Sequence, residues 1–307
     1  MMVPNARPGV TPFRPSVTPP LNDHGGTVAG VGADLTHGFV ETEPGVQLHY
    51  VEMGAGPLVV LLHGFPEFWF SWRRQLPALA AAGFRAVALD QRGYNLSSKP
   101  RGLEAYRVGR LARDVARSIE RLGQPRAAVV GHDWGGGVAW TFAMRHPEHL
   151  ERLAILNAPH PLTFLNHLRH PDQLKRSWYM FFFQLPWLPE AALRAGNFAA
   201  IRRDLRAPEY IEALSRPGAL TAAINYYRAM FRYGVPTVRA VARDPIQARV
   251  LIIWGERDRF LRPALAEPPA ALVPDRRIER LPDVGHWPHL EQPERVNDLL
   301  VRFLRAG

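Results

Sequence analysis

The chain contains no cysteine, and this absence excludes several kinds of chemistry at once. There can be no disulfide framework, no thiolate nucleophile and no cysteine metal site. The lack of disulfides fits a reducing compartment, and we expect a cytoplasmic protein. Residues 1–20 hold six prolines and no long apolar run, so we expect neither a signal peptide nor a membrane span there, and no membrane partner.

Long runs of basic residues are also missing. The formal net charge is +10, yet the basic residues are nearly all arginine, are spread along the chain and never form a run of five. Nucleic-acid-binding proteins usually concentrate their basic residues in one run or on one face. We therefore expect an arginine-rich solvated surface and no nucleic-acid partner.

The length and composition suit one α/β domain with an insertion. The 307 residues, of which 47% are hydrophobic, can bury a large core. Residues 1–37 are rich in Pro, Gly, Thr and Asp without apolar periodicity, and we predict a tail there. Segments 38–42 and 46–52 alternate apolar and polar residues, which predicts an antiparallel hairpin.

Beyond the hairpin, short apolar runs alternate with helical patterns, as in a parallel sheet covered by helices on both faces. The predicted strands are 58–62, 86–89, 127–130, 153–157, 249–255 and 277–281, and the predicted helices are 72–82, 111–122, 137–146, 264–272 and 293–305. Between them, residues 160–245 show only aromatic-rich helical patterns. We predict a mostly parallel, doubly wound α/β core of residues 38–159 and 246–307, with a helical cap of residues 160–245.

Three candidate catalytic residues each follow a predicted parallel strand. Asp133 lies in a glycine-rich strand-to-helix turn, Asp258 follows strand 249–255, and His286 follows the last strand. Ligands bind beyond the carboxyl ends of such strands, and the order nucleophile, acid, histidine is that of hydrolases with a nucleophile on a sharp turn. Aspartate is ordinarily ionised at neutral pH and needs no base. Asp133 is therefore the predicted nucleophile, with His286 as general base oriented by Asp258.

The chain resembles the α/β-hydrolase-fold epoxide hydrolases in five stretches. These are His63–Glu67, Asp90–Tyr94, Gly131–Gly136, Trp254–Asp258 and Gly285–Trp287. The resemblance implies an α/β-hydrolase fold with an inserted cap, and an enzyme without a cofactor whose partner is a small apolar epoxide. An aspartate at the turn is shared with haloalkane and haloacetate dehalogenases, so these motifs alone do not select the substrate.

The cap sequence favours the epoxide. In epoxide hydrolases two cap tyrosines donate hydrogen bonds to the epoxide oxygen, and the family patterns resemble segments 179–184 and 225–228. The resemblance assigns this hydrogen-bonding role to Tyr179 and Tyr227, with Tyr226 as the alternative to Tyr227. A phenol can hydrogen-bond and protonate a ring-opened alkoxide, whereas a halide leaves without a proton. Fluoroacetate-type dehalogenases resemble one another in an arginine directly after the nucleophile, where this chain has Trp134.

The resemblance also implies an oxyanion hole formed by the backbone N–H groups of Phe65 and Trp134, with a cis peptide bond before Pro66. We predict that five side chains line the substrate pocket, namely His63, Pro66, Phe183, Trp187 and Trp287. No metal is expected, because the one pair of histidines at ligand-like spacing, His167 and His170, has no carboxylate beside it.

The expected reaction is hydrolysis of an epoxide to a vicinal diol through an aspartyl ester. Two alternatives stay open. A haloalkane or haloacetate dehalogenase could use the same triad, and a non-catalytic protein of this fold could bind a small ligand. The oligomeric state is open between monomer and homodimer.

Overall fold

The structure is a computed structural model that describes residues 35–234, 236, 238 and 244–306. Contacts divide the chain into two units, Met1–Ala33 and Asp34–Gly307. The first unit lies outside the described residues, and with it almost all of the predicted tail. The first strand begins at Thr36, so the last two residues of the predicted tail, 36 and 37, belong to that strand.

The second unit is built on an eight-stranded sheet in the order β1-β2-β4-β3-β5-β6-β7-β8. The strands are β1 (Thr36–Glu43), β2 (Val46–Met53), β3 (Leu58–Leu62), β4 (Arg85–Leu89), β5 (Ala127–His132), β6 (Leu150–Leu156), β7 (Arg249–Gly255) and β8 (Arg276–Leu281). Strand β2 pairs antiparallel with β1 and β4, and every pairing from β4 to β8 is parallel. The predicted hairpin and mostly parallel sheet are confirmed.

The α-helices of the described residues fall into two groups, those that flank the sheet and those inserted between β6 and β7. The flanking helices are α1 (Gln75–Ala81), α2 (Val108–Arg121), α3 (Trp134–Arg145), α10 (Pro288–Glu291) and α11 (Pro293–Arg305). The inserted helices are α4 (Pro161–His167), α5 (Pro171–Arg176), α6 (Trp178–Phe182), α7 (Leu188–Arg202), α8 (Pro208–Ser215) and α9 (Ala219–Ala229).

Both faces of the sheet are covered, because its central strands are apolar on both sides. On β3, Val60 packs in one layer with Val115 of α2, and Leu61 packs in the opposite layer with Leu79 of α1 and Leu300 of α11. Each side chain is at most 2% exposed. Alternate residues of one strand thus bury against different helices, which is the physical basis of the doubly wound architecture.

One predicted helix is wrong. Residues 264–272 form only a short 3-10 turn, Pro263–Ala266. Two consecutive prolines, Pro268 and Pro269, lack the backbone N–H groups that would continue a helix, and they restrict the residue before them to extended backbone.

The segment between β6 and β7 contains helices and no strand among its described residues, and residues 235, 237 and 239–243 of the predicted cap lie outside them. It has an apolar cluster of its own, in which Met180 of α6, Tyr210 of α8 and Tyr227 of α9 pack with Phe68 from the loop after β3. Helix α7 is interrupted by non-helical backbone at residues 195–198. The cluster holds α6 and α9 against the loops that leave the sheet. None of the described helices has the length and hydropathy of a bilayer-spanning segment.

Candidate active site

Asp133 stands on the turn between β5 and α3, with φ +49° and ψ −119°. Residues other than glycine rarely adopt a positive φ, so the backbone of this turn is strained. Its neighbours are packed closely, since a Cβ atom on Gly135 would overlap the Leu62 carbonyl and one on Gly64 would overlap the Asp133 side chain. The turn presents the Asp133 carboxylate to a cavity between the sheet and the inserted helices.

The three residues predicted from the strand ends lie together. His286 Nε2 is 3.5 Å from Asp133 Oδ2, and His286 Nδ1 is 2.7 Å from Asp258 Oδ2. The other oxygen of Asp258 accepts hydrogen bonds from the backbone N–H groups of Phe260 and Leu261 at 2.7 and 3.0 Å. The imidazole is therefore held between two carboxylates, with one nitrogen directed at each.

These contacts shift the pKa of both buried partners. Burial alone would lower the pKa of His286, but the charges of Asp258 and Asp133 and their hydrogen bonds raise it to about 10. Burial would raise the pKa of Asp258, and His286 together with the hydrogen bonds from Asn157 and the Phe260 N–H lowers it instead. The negative charge of Asp133 thus contributes to holding the proton on His286 in the free protein.

A backbone donor already contacts the carboxylate of Asp133. The N–H of Phe65 donates to Asp133 Oδ1 at 2.8 Å, and the Phe65–Pro66 peptide bond is cis as expected. Trp134 is the first residue of α3 and follows Asp133 directly, so its amide belongs to the helix N-terminus at this turn. One oxygen of Asp133 is thus held by an amide while the other faces His286.

Tyr179 of α6 and Tyr227 of α9 lie on the cavity wall with Asp133. Their ring centroids are 5.8 Å apart, and the Trp134 ring packs edge-to-face on Tyr227 at a centroid distance of 5.0 Å. Burial and the nearby charge of Asp133 raise the pKa of both phenols above its usual range. Both hydroxyls are therefore protonated at neutral pH and can donate.

The neighbouring Tyr226 has a different partner. Its hydroxyl donates to the backbone carbonyl of Arg92 at 2.7 Å, and its ring packs on Tyr94 and Tyr106 at centroid distances of 5.3 and 5.8 Å. Consecutive helical residues point about 100° apart, so only one of the two tyrosine hydroxyls can face the carboxylate. The geometry favours Tyr227 over Tyr226 for that position.

The cavity has a volume of about 260 Å³, and its wall is apolar apart from the groups near Asp133. Phe164, Leu168 and Met230 contribute hydrocarbon surface. Two hydroxyls on the wall are used within the protein, because Thr141 donates to the Gly137 carbonyl and Tyr106 to the Pro100 carbonyl. A molecule filling this space would meet hydrocarbon on most sides and hydrogen-bond donors at one end.

None of the five side chains predicted to line the pocket is among the residues that line this cavity. His63 and Pro66 are buried beneath the site, and His63 donates to the Gly64 carbonyl and accepts from the Gln91 N–H. The Phe183 ring packs on Tyr227 at a centroid distance of 5.0 Å, and the Trp287 ring packs on His286 at 4.9 Å.

Trp187 differs most from its prediction. It is 72% exposed, because it precedes α7 at a positive φ of +49° and its side chain faces solvent. Its aromatic character had suggested a pocket wall, but aromatic composition carries no information on which side of a turn a ring lies.

Comparisons with known proteins agree with this geometry. The family model described as alpha/beta hydrolase fold matches residues 57–293. The AB hydrolase superfamily protein YfhM of Bacillus subtilis (strain 168) is 39% identical over 87% of this chain and 97% of its own. Epoxide hydrolase 3 of Xenopus tropicalis is 39% identical over 88% of this chain and 78% of its own. The crystal structure of Bacillus megaterium epoxide hydrolase in complex with an inhibitor has a TM-score of 0.78 at 34% identity, covering 88% of this chain and all of that chain.

The chain belongs to the epoxide hydrolase group of the alpha/beta-hydrolase fold family. The fold and the hydrolase class expected from the motifs are confirmed.

The motifs of this epoxide hydrolase family member did not reveal Asn157, which follows β6 with a φ of +39°. Its side-chain N–H donates to Asp258 Oδ2 at 2.7 Å, and its side-chain oxygen accepts from the Gly255 N–H at 2.8 Å. Asn157 therefore supports the carboxylate that contacts His286. Its place directly after a parallel strand, like that of Asp133, was the available signal.

A second group that the motifs left unassigned lies beneath His286. Glu67 Oε2 is 2.7 Å from His132 Nδ1 and accepts from the Gly64 N–H at 2.9 Å, and Glu67 Oε1 is 3.3 Å from His289 Nε2. His132 Nε2 donates to the backbone carbonyl of His286 at 2.8 Å.

These three buried side chains are of metal-ligating types, and their ligand atoms lie within 4.8 Å of one another. The contact between Glu67 and His132 has hydrogen-bond length, however, at which a shared proton joins the two atoms. Burial would raise the pKa of Glu67, and the two imidazoles lower it well below its usual range. The cluster therefore provides a fixed support for the backbone of His286.

Proposed function

We propose that this protein hydrolyses an apolar epoxide to a vicinal diol through an ester on Asp133. The observation that carries the proposal is the position of two protonated phenols, Tyr179 and Tyr227, beside an aspartate on a hydrolase turn and within one apolar cavity. A phenol that can both hydrogen-bond and give up a proton suits an epoxide oxygen, which becomes strongly basic as the ring opens.

In the first step Asp133 Oδ2 attacks a ring carbon. Oδ1 already accepts from the Phe65 N–H, so Oδ2 is the oxygen free to form the new bond. The C–O bond of the ring breaks while the hydroxyls of Tyr179 and Tyr227 hold the departing oxygen, and one of them supplies its proton. The product is a hydroxyalkyl ester of Asp133.

In the second step a water molecule attacks the ester carbonyl carbon of Asp133. His286 removes a proton from that water, and Asp258 stabilises the imidazolium. Negative charge collects on Oδ1, where the Phe65 N–H and the Trp134 N–H at the start of α3 donate hydrogen bonds. The acyl C–O bond of the ester then breaks, and the imidazolium of His286 returns its proton to the leaving oxygen, so that the diol is released. The second proton of the attacking water restores the tyrosine hydroxyl, and Asp133 is regenerated as a carboxylate.

Esterification changes the charge around His286. The free carboxylate of Asp133 is one of the groups that raise the pKa of His286, and an ester carries no charge. The pKa of His286 therefore falls when the ester forms, and the imidazole can lose its proton and act as a base in the second step only. His286 is thus held protonated while Asp133 is a free carboxylate and becomes available as a base once Asp133 is an ester.

A single turnover in oxygen-18 water tests the proposal. With enzyme in excess over styrene oxide, the first diol should contain no label, because its new oxygen comes from Asp133, and the label should appear in the Asp133 peptide. Label in the first diol would mean direct attack by water and would refute the ester. Rapid halide release from a chloroalkane, with no diol from any epoxide tested, would favour the dehalogenase alternative instead.

A further inference from the structure

Exposed apolar side chains are concentrated on one part of the inserted segment. Among the described residues, nine large apolar side chains are exposed, and six of them lie within fifteen consecutive residues. These six form what we call the α6 patch: Leu174, Trp178, Phe181, Leu185, Trp187 and Leu188. Monomeric soluble proteins usually scatter such residues singly, so a cluster of this kind indicates an interaction surface.

The α6 patch is a helical stripe. Helices α5 and α6 are nearly continuous, because the Ser177 N–H donates to the Gln173 carbonyl at 2.9 Å across their junction. Leu174, Trp178 and Phe181 are spaced i, i+4 and i+7 and are all exposed, whereas Gln173, Ser177 and Met180 of the same segment are buried. The apolar stripe thus faces solvent on a helix whose other face is already packed.

The patch adjoins the entrance of the cavity. Phe181 packs edge-to-face on Phe231 at a centroid distance of 5.2 Å, and Phe231 is both a cavity-lining residue and 40% exposed. Tyr179 and Met180, which also line the cavity, lie on the same helix as Trp178 and Phe181. The outer apolar surface is therefore continuous with the inner one.

The chain segment that carries the patch is rich in cations. Residues 173–203 contain a single acid, Glu190, which is buried and ion-paired with Arg228 at 2.8 Å. The same segment carries five cations: Lys175, Arg176, Arg194, Arg202 and Arg203. Asp172 of α5 is exposed beside this segment, but cations outnumber exposed carboxylates along it. A face with tryptophan, leucine and an excess of cations suits a bilayer interface of negative charge.

We propose that the α6 patch binds the surface of an anionic lipid bilayer. Tryptophan and leucine side chains enter the boundary between headgroups and acyl chains, and the surrounding cations contact the anionic headgroups. A second copy of the chain is a poorer occupant, because a symmetric dimer through this patch would bring two cationic faces together. Docking here, contrary to the expected absence of a membrane partner, places the cavity entrance at the bilayer, where apolar epoxides dissolve.

Sedimentation with vesicles tests this directly. The wild-type protein should sediment with vesicles of phosphatidylglycerol and phosphatidylcholine in equal parts, much less with pure phosphatidylcholine, and less again at high salt. The Trp178→Ser/Leu185→Ser variant should lose about tenfold or more in vesicle affinity. Phe39→Ser is the matched control, because Phe39 is 55% exposed on β1, away from the patch in sequence, and it should bind like wild type.

A second variant shows whether a loss of vesicle binding is due to misfolding. Lys175→Glu/Arg194→Glu leaves the apolar residues in place and should weaken binding to anionic vesicles only. Wild-type protein that stays in the supernatant, or patch variants that bind like wild type, would overturn the proposal. So would a wild-type dimer in sedimentation velocity that Trp178→Ser/Leu185→Ser converts to monomer, with no vesicle binding. Since no substrate is present, these outcomes are independent of epoxide hydrolysis.

Discussion

Replacing Tyr226 and Tyr227 by phenylalanine, one at a time, distinguishes a hydroxyl that takes part in the reaction from one that stabilises the fold. Both side chains are buried and line the cavity with Asp133, but the Tyr226 hydroxyl donates to the Arg92 carbonyl at 2.7 Å, whereas the Tyr227 ring packs on Tyr179 and Trp134. Each substitution deletes one oxygen and leaves the ring in place. The two variants are therefore matched in chemistry and differ only in the partner that is lost.

The expected magnitudes follow from those partners. A hydrogen bond to a charged group contributes about 1.5–3 kcal/mol, so Tyr227→Phe should slow ester formation on Asp133 about 10- to 150-fold. Tyr226→Phe leaves the buried Arg92 carbonyl unpaired, which costs about 1–3 kcal/mol of unfolding free energy. Its rate of ester formation should stay near that of wild type.

Quench-flow with enzyme in excess, followed by mass measurement of the Asp133 peptide, gives the rate of ester formation. Urea unfolding gives the stability of the same preparations. The reasoning is refuted if Tyr226→Phe slows ester formation and Tyr227→Phe does not, because the hydroxyl facing the epoxide would then be the one we assign to the Arg92 carbonyl. A Tyr179→Phe variant should behave like Tyr227→Phe.

Three further predictions concern the second step. His286→Gln should accumulate the Asp133 ester, visible by mass spectrometry after exposure to styrene oxide, and absence of the ester would contradict the scheme. Asn157→Ala removes a charge-assisted hydrogen bond to Asp258 and should slow ester hydrolysis about tenfold or more while ester formation changes little; equal losses in both steps would point to a general structural defect. Ester hydrolysis should rise with pH and then level off, because it requires neutral His286, whose pKa falls below its free-protein value of about 10 once Asp133 is uncharged. A hydrolysis rate that falls with rising pH in single-turnover measurements would exclude His286 as the base.

The proposed triad could be predicted from the sequence because each of its members follows a local pattern. Asp133 and Asp258 follow apolar runs, and His286 follows the more polar segment Arg276–Leu281. All three segments become parallel strands, whose carboxyl ends meet at the same edge of the sheet. Once the strands are recognised, proximity follows without any knowledge of side-chain packing. The buried face of β3 and the hairpin of β1 and β2 were predictable for the same reason.

The residues that hydrogen-bond to this triad could not be predicted from the sequence in this way. Asn157 contacts Asp258 across 101 positions, and His132 reaches the His286 carbonyl across 154. Neither has a spacing that marks it, since an asparagine or histidine after a strand has many structural uses. Only the packed sheet shows which carboxylate or carbonyl each side chain meets.

The sequence by itself determined that this is a doubly wound α/β hydrolase with an aspartate on the nucleophile turn, because periodicity and turn residues are properties of neighbouring positions. Only the tertiary structure shows that the Tyr226 hydroxyl donates to the Arg92 carbonyl, that Tyr227 packs on Tyr179 and Trp134, and that Trp187 is exposed. Those outcomes depend on how α6, α7 and α9 are rotated about their axes. That rotation is set by contacts among distant helices, so no local pattern contains it.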